Sequence, residues 1–225
     1  MKNNNVNIKK ILNKKISLKS NFHLENEFYY STHKTRLNKI LNHYELIKKI
    51  KKIQGAIVEL GVFKGISLIR IAQIRDALKI KKKIYGFDTF GSFPVADKSD
   101  TYDKAFPKSF AKTAGKPITI NRLEKILKKK QLKNIELVKG DIFKTLKILK
   151  KNKTKISLLH LDMDLEKATF FALNLLYKNM TKGGIIIFDD YKIHPGIKKA
   201  VDKILKGKKI YPPTYGKNPS FFIKD

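Results

Sequence analysis

The chain contains no cysteine, which excludes disulfides, thiolate metal ligands and cysteine nucleophiles. Acids are scarce: 19 Asp and Glu stand against 50 Lys and Arg, for a formal net charge of +31. Arginine is scarcer still, being confined to Arg36, Arg70, Arg75 and Arg122. Arginine carries the planar fork that reads phosphates bidentately. A basic excess made almost wholly of Lys, alongside many Asn and Ile, reads as solvated helix faces under compositional drift. Nucleic acid is therefore not the expected partner, although weak attraction to anionic membrane surfaces is an expected by-product. The Lys runs at 81–83 and 128–130 come with no aromatic stacking platform. No apolar run reaches the roughly 18 residues that a membrane-crossing helix needs. The basic N-terminal stretch lacks both a continuous apolar segment and a small-residue cleavage site, so a cytoplasmic location is expected.

What is present is enough to build a core. An apolar content of 42% over 225 residues fits one domain of ordinary to generous size. Residues 1–36 read as an N-terminal arm for packing, capping or dimer contact, and 37–225 as a single domain; a homo-oligomer is expected. Leu37, Ile40, Leu41, Tyr44, Ile47 and Ile50 recur at helical spacing. The pattern then changes to a short apolar run, Gly55-Ala-Ile-Val-Glu-Leu-Gly61, followed by Val-Phe-Lys-Gly65 and a helical stretch from Ser67 to Leu78. Strand, glycine turn and helix in that order open a doubly wound α/β fold. Further strands are predicted at Ile84–Asp88, Ile135–Lys139, Ile156–Leu161 and Gly184–Phe188, with helices between them. A closing pair is predicted at Lys209–Tyr211 and Ser220–Ile223. The long segment at about 89–117, rich in Gly, Pro, Ser and aromatics, reads as a lid or binding loop. These strands lack clear period-two polarity, which argues for a mostly parallel sheet covered on both faces.

Ligands of such sheets bind at the carboxyl ends of the strands, and the scarce acids fall there in succession: Glu59, Asp88, Asp141, Asp162 with Asp164, and Asp189 with Asp190. Gly61 and Gly65 let the backbone pass close to a ligand. An acid just before that turn suits a cationic or hydroxyl-bearing ligand better than a pyrophosphate. Asp88 fits an acceptor for ribose hydroxyls, or a loop cap. Asp141 fits an adenine amino group, or the cap of the next helix. Asp162 and Asp164 can point the same way at a strand end. If the strands before Asp162 and Asp189 are neighbours, three or four carboxylates converge, and such an all-oxygen set selects Mg²⁺, Mn²⁺ or Ca²⁺ over zinc. Lys167 and Lys192 offer themselves as ion-pair partners instead. His160, inside an apolar strand, reads as a satisfied core histidine; His194 is a cap or a pocket residue.

Taken together, Val58-Glu-Leu-Gly-Val-Phe-Lys-Gly65, Phe87-Asp-Thr-Phe90 with Pro94, Asp162-Met-Asp-Leu165 with Thr169, Gly183-Gly-Ile-Ile-Ile-Phe-Asp-Asp-Tyr191 and Pro195-Gly196 through Ala200-Val-Asp202 resemble the macrocin O-methyltransferase family. The resemblance spans roughly residues 50 to 225. It implies a class I methyltransferase fold, Rossmann-like, with a seven-stranded mostly parallel sheet in the order 3-2-1-4-5-7-6 and helices on both faces. It further implies that Asp162, Asp189 and Asp190 hold Mg²⁺ and that Asp164 is the general base. Glu59, Gly61 and Gly65 would line the S-adenosylmethionine site, with Asp88 on the ribose and Asp141 near the adenine. The chain departs from the family at Ser92-Phe-Pro94, where Gly-Leu-Pro is usual, and at Glu166-Lys167, where Tyr-Glu is usual. Both departures lie where an acceptor should enter.

The function expected on this basis is Mg²⁺-dependent methylation of a sugar or other vicinal-diol hydroxyl, in surface-polysaccharide or secondary-metabolite synthesis. The rivals are a catechol-like small-molecule O-methyltransferase, an RNA 2′-O-methyltransferase and a non-catalytic binding protein.

Overall fold

Strands buried along their whole length can only be central, and β1 (Ala56–Leu60) and β4 (Ile156–Leu161) are buried throughout, Glu59 and His160 included. The structure, a computed structural model, describes residues 21–91 and 112–225. Most of the expected lid and the first part of the expected arm lie outside the described residues. The chain divides into two units, 1–37 and 38–225. The first contains α1 (Asn21–Ser31), and α2 (Lys34–Lys49) begins at its end.

The second unit carries a sheet in the order β3-β2-β1-β4-β5-β6. Strands β2 (Ile84–Asp88), β3 (Ile135–Lys139) and β5 (Met180–Phe188) join β1 and β4 in parallel register, and β6 (Ser220–Ile223) runs antiparallel to β5. Among the described residues the sheet has six strands rather than the seven expected. The segment at Lys209–Tyr211 contributes a single bridge, between Tyr211 and Phe221. Pro212 and Pro213 follow at once, and two residues without an N–H end the pairing there.

The alternation of side chains splits the core in two. Val58, Leu60, Leu159, Leu161, Ile186 and Phe188 pack against α7 (Glu166–Leu176) and α8 (Pro195–Ile204). Ile57, Leu158, Ile185 and Ile187 face α2, α3 (Ile66–Ala77) and α4 (Ile120–Lys129). Between β3 and β4 the chain forms two short helices, α5 (Ile142–Thr145) and α6 (Lys147–Lys151), where the spacing predicts one.

Helix α2 is rotated from the apolar stripe read in the sequence. Leu37 and Tyr44 are exposed, and the buried face is Asn42, His43, Leu46, Ile47 and Ile50. Asn42 turns inward because the backbone of Tyr215 satisfies it: its amide donates to the Tyr215 carbonyl at 2.8 Å and its oxygen accepts from the Tyr215 N–H at 3.0 Å. His43 turns inward against the ring of His160.

Candidate active site

The carboxyl ends of β1 and β4 are pressed together at Gly61. With φ at 90°, a Cβ at this position would lie 1.9 Å from the carbonyl oxygen of Asp162, so only glycine fits. The Asp162 N–H donates to the Leu60 carbonyl at 2.9 Å, which fixes the first residue beyond β4 to the turn after β1. Gly65 precedes α3 in a left-handed conformation, its α-carbon against the side chain of Leu123.

Asp88 braces the same turn. One of its oxygens accepts the N–H groups of Val62 at 2.8 Å and Phe63 at 2.9 Å, and the other accepts that of Phe90 at 2.7 Å. Asp141 caps α5, accepting from the Phe143 N–H at 3.0 Å. Glu59 points away from the turn. It has no exposed surface, and its Oε1 lies 3.0 Å from Nδ1 of His160. The structure therefore gives Oε1 of Glu59 a partner inside the sheet, and its Oε2 is buried without a hydrogen-bond partner among the described residues.

The four aspartates do converge, because β4 and β5 are neighbours. Asp162 follows the parity of Leu158 and His160, and Asp189 that of Ile185 and Ile187, so both emerge on the α2 face. Asp162, Asp189 and Asp190 each offer an oxygen, and these lie within 4.8 Å of one another. Asp164, left-handed with φ at 61°, joins Asp190 and His194 in a second group of the same span. His194 precedes α8 without capping it through its side chain; its Nε2 is 3.8 Å from Asp164 and 3.9 Å from Asp190.

Crowding sets the electrostatics. Burial and the charge of Asp189 hold Asp162 well above the usual carboxylate range, and the same two causes raise Asp190. Burial and the adjacent Asp190 push Asp164 up to about 8. Asp189 departs the other way: burial opposes its charge, but His160 and Lys39 outweigh it and lower its pKa. The Lys39 ammonium sits 2.5 Å from Asp189 Oδ2, and His160 Nε2 is 3.8 Å from Oδ1. His160 is itself raised to about 10, burial being outweighed by Asp189 on one side and Glu59 on the other.

This donor set fits a hard divalent cation. Oxygens sharing a Mg²⁺ at about 2.1 Å lie roughly 3 to 4 Å apart, a modest contraction of the observed cluster. Positive charge would also relieve the mutual repulsion that raises Asp162, Asp164 and Asp190.

A family model for macrocin-O-methyltransferases (TylF) matches residues 26–215. The chain belongs to the macrocin-O-methyltransferase family. It is an S-adenosylmethionine-dependent O-methyltransferase. No curated protein sequence matches it. Among solved structures, it is similar to the O-methyltransferase NovP, with a TM-score of 0.71 and 20% identity over 83% of this chain and 79% of that one. It is also similar to CalS11, described as a TDP-rhamnose 3′-O-methyltransferase of calicheamicin biosynthesis, with a TM-score of 0.66 and 23% identity over 96% of this chain and 90% of that one. Both likenesses bear out the class I methyltransferase fold.

Three site residues escape sequence reasoning. His160 reads as a core histidine, yet it links two carboxylates. Lys39 and His43 stand one turn apart on α2, inside a stripe that continues to Ile47 and Ile50. A lysine and a histidine in line with buried apolar positions were the available signal.

Proposed function

We propose that the enzyme methylates a hydroxyl of a sugar or another vicinal diol with the help of Mg²⁺. The observation that carries this reading is the meeting of Asp162, Asp189 and Asp190 at the ends of two adjacent strands, with Asp164 beside them and the Gly61 turn against Asp162. Asp162, Asp189 and Asp190 would hold the cation. Bound there, it would supply Lewis acidity that lowers the pKa of the reacting hydroxyl.

The chain's own residues do the rest. Asp164 accepts the hydroxyl proton at a carboxylate oxygen, the cation keeping that carboxylate ionised by relieving the repulsion from Asp190. His194, within reach of both Asp164 and Asp190, orients that carboxylate. Gly61 and Gly65 allow the backbone to approach the methyl donor, Asp88 faces its ribose and Asp141 its adenine. Holding donor and acceptor in line provides much of the rate. The enzyme works in the cytoplasm in surface-polysaccharide or secondary-metabolite synthesis.

The test is methyl transfer from S-adenosylmethionine to a panel of sugar and catechol acceptors, with and without chelator. Transfer to a sugar that EDTA abolishes and Mg²⁺ restores is the expected result. Undiminished transfer in EDTA removes the metal from the mechanism, and transfer only to catechols removes the sugar.

A further inference from the structure

A row of polar side chains crosses the α2 face of the sheet where apolar side chains would pack at lower cost. The register aligns Glu59 on β1 with His160 on β4 and Ile187 on β5, so Glu59 and His160 share one face and Asp189 lies one step further along it. Glu59 and His160 have no exposed surface, and Asp189 is 4% exposed. Ile57, Leu158, Ile185 and Ile187 surround the row. Replacing a buried ion pair by hydrophobic residues of similar volume is often neutral or stabilising, so core stability does not by itself account for this row.

We infer that His160, backed by Glu59, is a positioning residue that aims Asp189 at the metal site. This rests on the metal reading above. Glu59 holds the imidazole by Nδ1 at 3.0 Å, and Nε2, which has no direct hydrogen-bond partner among the described residues, lies 3.8 Å from Asp189 Oδ1, close enough for a charge contact. The ring of His43 meets that of His160 edge-on, with centroids 5.1 Å apart, and restricts its rotation. Lys39 takes the other oxygen of Asp189, so the carboxylate is gripped from α2 and from β4 at once. Outer partners of this kind fix the orientation of metal ligands, and losing them typically costs 10- to 100-fold in metal affinity. Glu59 therefore acts through His160 on the metal and does not contact the methyl donor.

The experiment is titration of the purified full chain with Mn²⁺, followed by electron paramagnetic resonance, beside calorimetric titration with S-adenosylmethionine. Folding of each variant is checked by circular dichroism and thermal melting. His160→Phe and Glu59→Leu are expected to weaken Mn²⁺ binding about tenfold or more while S-adenosylmethionine binding stays within about twofold. Should those variants fail to fold, Glu59→Gln and His160→Gln decide, with an expected loss of about three- to tenfold. Folded variants that bind Mn²⁺ as wild type does overturn the inference and leave the metal reading standing. Lost S-adenosylmethionine binding with Mn²⁺ binding intact also overturns it, returning Glu59 to the donor site. A wild-type chain that binds no Mn²⁺ overturns the metal reading and this inference with it.

Discussion

His43 meets His160 edge to face, the ring centroids 5.1 Å apart and the planes at 80°. The two are electrically opposite. His160 has its pKa raised to about 10 by the neighbouring carboxylates, whereas His43 has no hydrogen-bond partner at either nitrogen among the described residues and its pKa is driven well below 6.5. Burial is the main cause, followed by the charges of His160 on β4 and Arg70 on α3; Asp189, just beyond β5, opposes, and Lys39 on α2 reinforces the shift.

This pair makes stability depend on pH in two windows. Below about 6.5 the unfolded chain takes up a proton at His43 that the folded chain refuses, so stability falls as pH falls. His160, whose folded pKa is raised to about 10, contributes fully below about 6.5 and loses its contribution as pH rises toward 10. Asp162, Asp164 and Asp190, whose pKa values are raised, act the other way and gain stability over the same fall in pH, so His43 is read by difference: in urea unfolding in chelator, His43→Leu is expected to gain more midpoint between pH 7 and pH 5 than wild type does.

Gly61 and Gly207 provide a matched contrast in backbone strain. Both have positive φ, but a Cβ at Gly61 would collide with the Asp162 carbonyl, whereas at Gly207 it would meet nothing within 4 Å. Gly207→Ala is expected to cost about 1 to 2 kcal/mol, the left-handed penalty alone. Gly61→Ala adds a backbone clash to that penalty and should cost well over about 3 kcal/mol, with loss of S-adenosylmethionine binding. Chemical denaturation and calorimetry measure both.

Asp164 and Asp190 separate the base from the ligands. Asp164→Asn should lower kcat by about 10²- to 10⁴-fold, the usual contribution of a general base, while leaving Mn²⁺ binding within a few-fold. Asp190→Asn should weaken Mn²⁺ binding and activity together. Steady-state kinetics beside metal titration would show the split; equal loss of metal binding in both variants would assign Asp164 to the ligand set.

Lys39 is the protein's own cation at the site. Removing one partner of a largely buried, charged hydrogen bond costs about 1.5 to 3 kcal/mol, so Lys39→Met should melt at a lower temperature than wild type in chelator. It also removes a positive charge from beside Asp189. Mg²⁺ should therefore raise the melting temperature of the variant by more than it raises that of wild type.

Much of this was legible in the sequence because it is written locally. Each strand announces itself as a short apolar run, the turn after β1 by Gly61 and Gly65, and the site by acids placed just beyond strand ends. Pro212 and Pro213 are the local sign that the segment at Lys209–Tyr211 adds a single bridge and no seventh strand among the described residues. Side chains that serve distant partners were not legible. The face of α2 was misread because His43 and Asn42 are buried against groups far along the chain, and hydropathy counts them as surface residues.

The order of strands, helices and strand-end acids follows from the sequence itself, since periodicity and turn chemistry act over a few residues. No local pattern places β4 beside β5; the family resemblance implies it and the structure bears it out, which turns a series of acids into a cluster. The tertiary structure alone brought His160 to Glu59 across 101 residues and Lys39 to Asp189 across 150. Pairing between distant strands and helices is set by packing of the whole core, so no local pattern could say which carboxylate would be held charged and which would be free to take a proton.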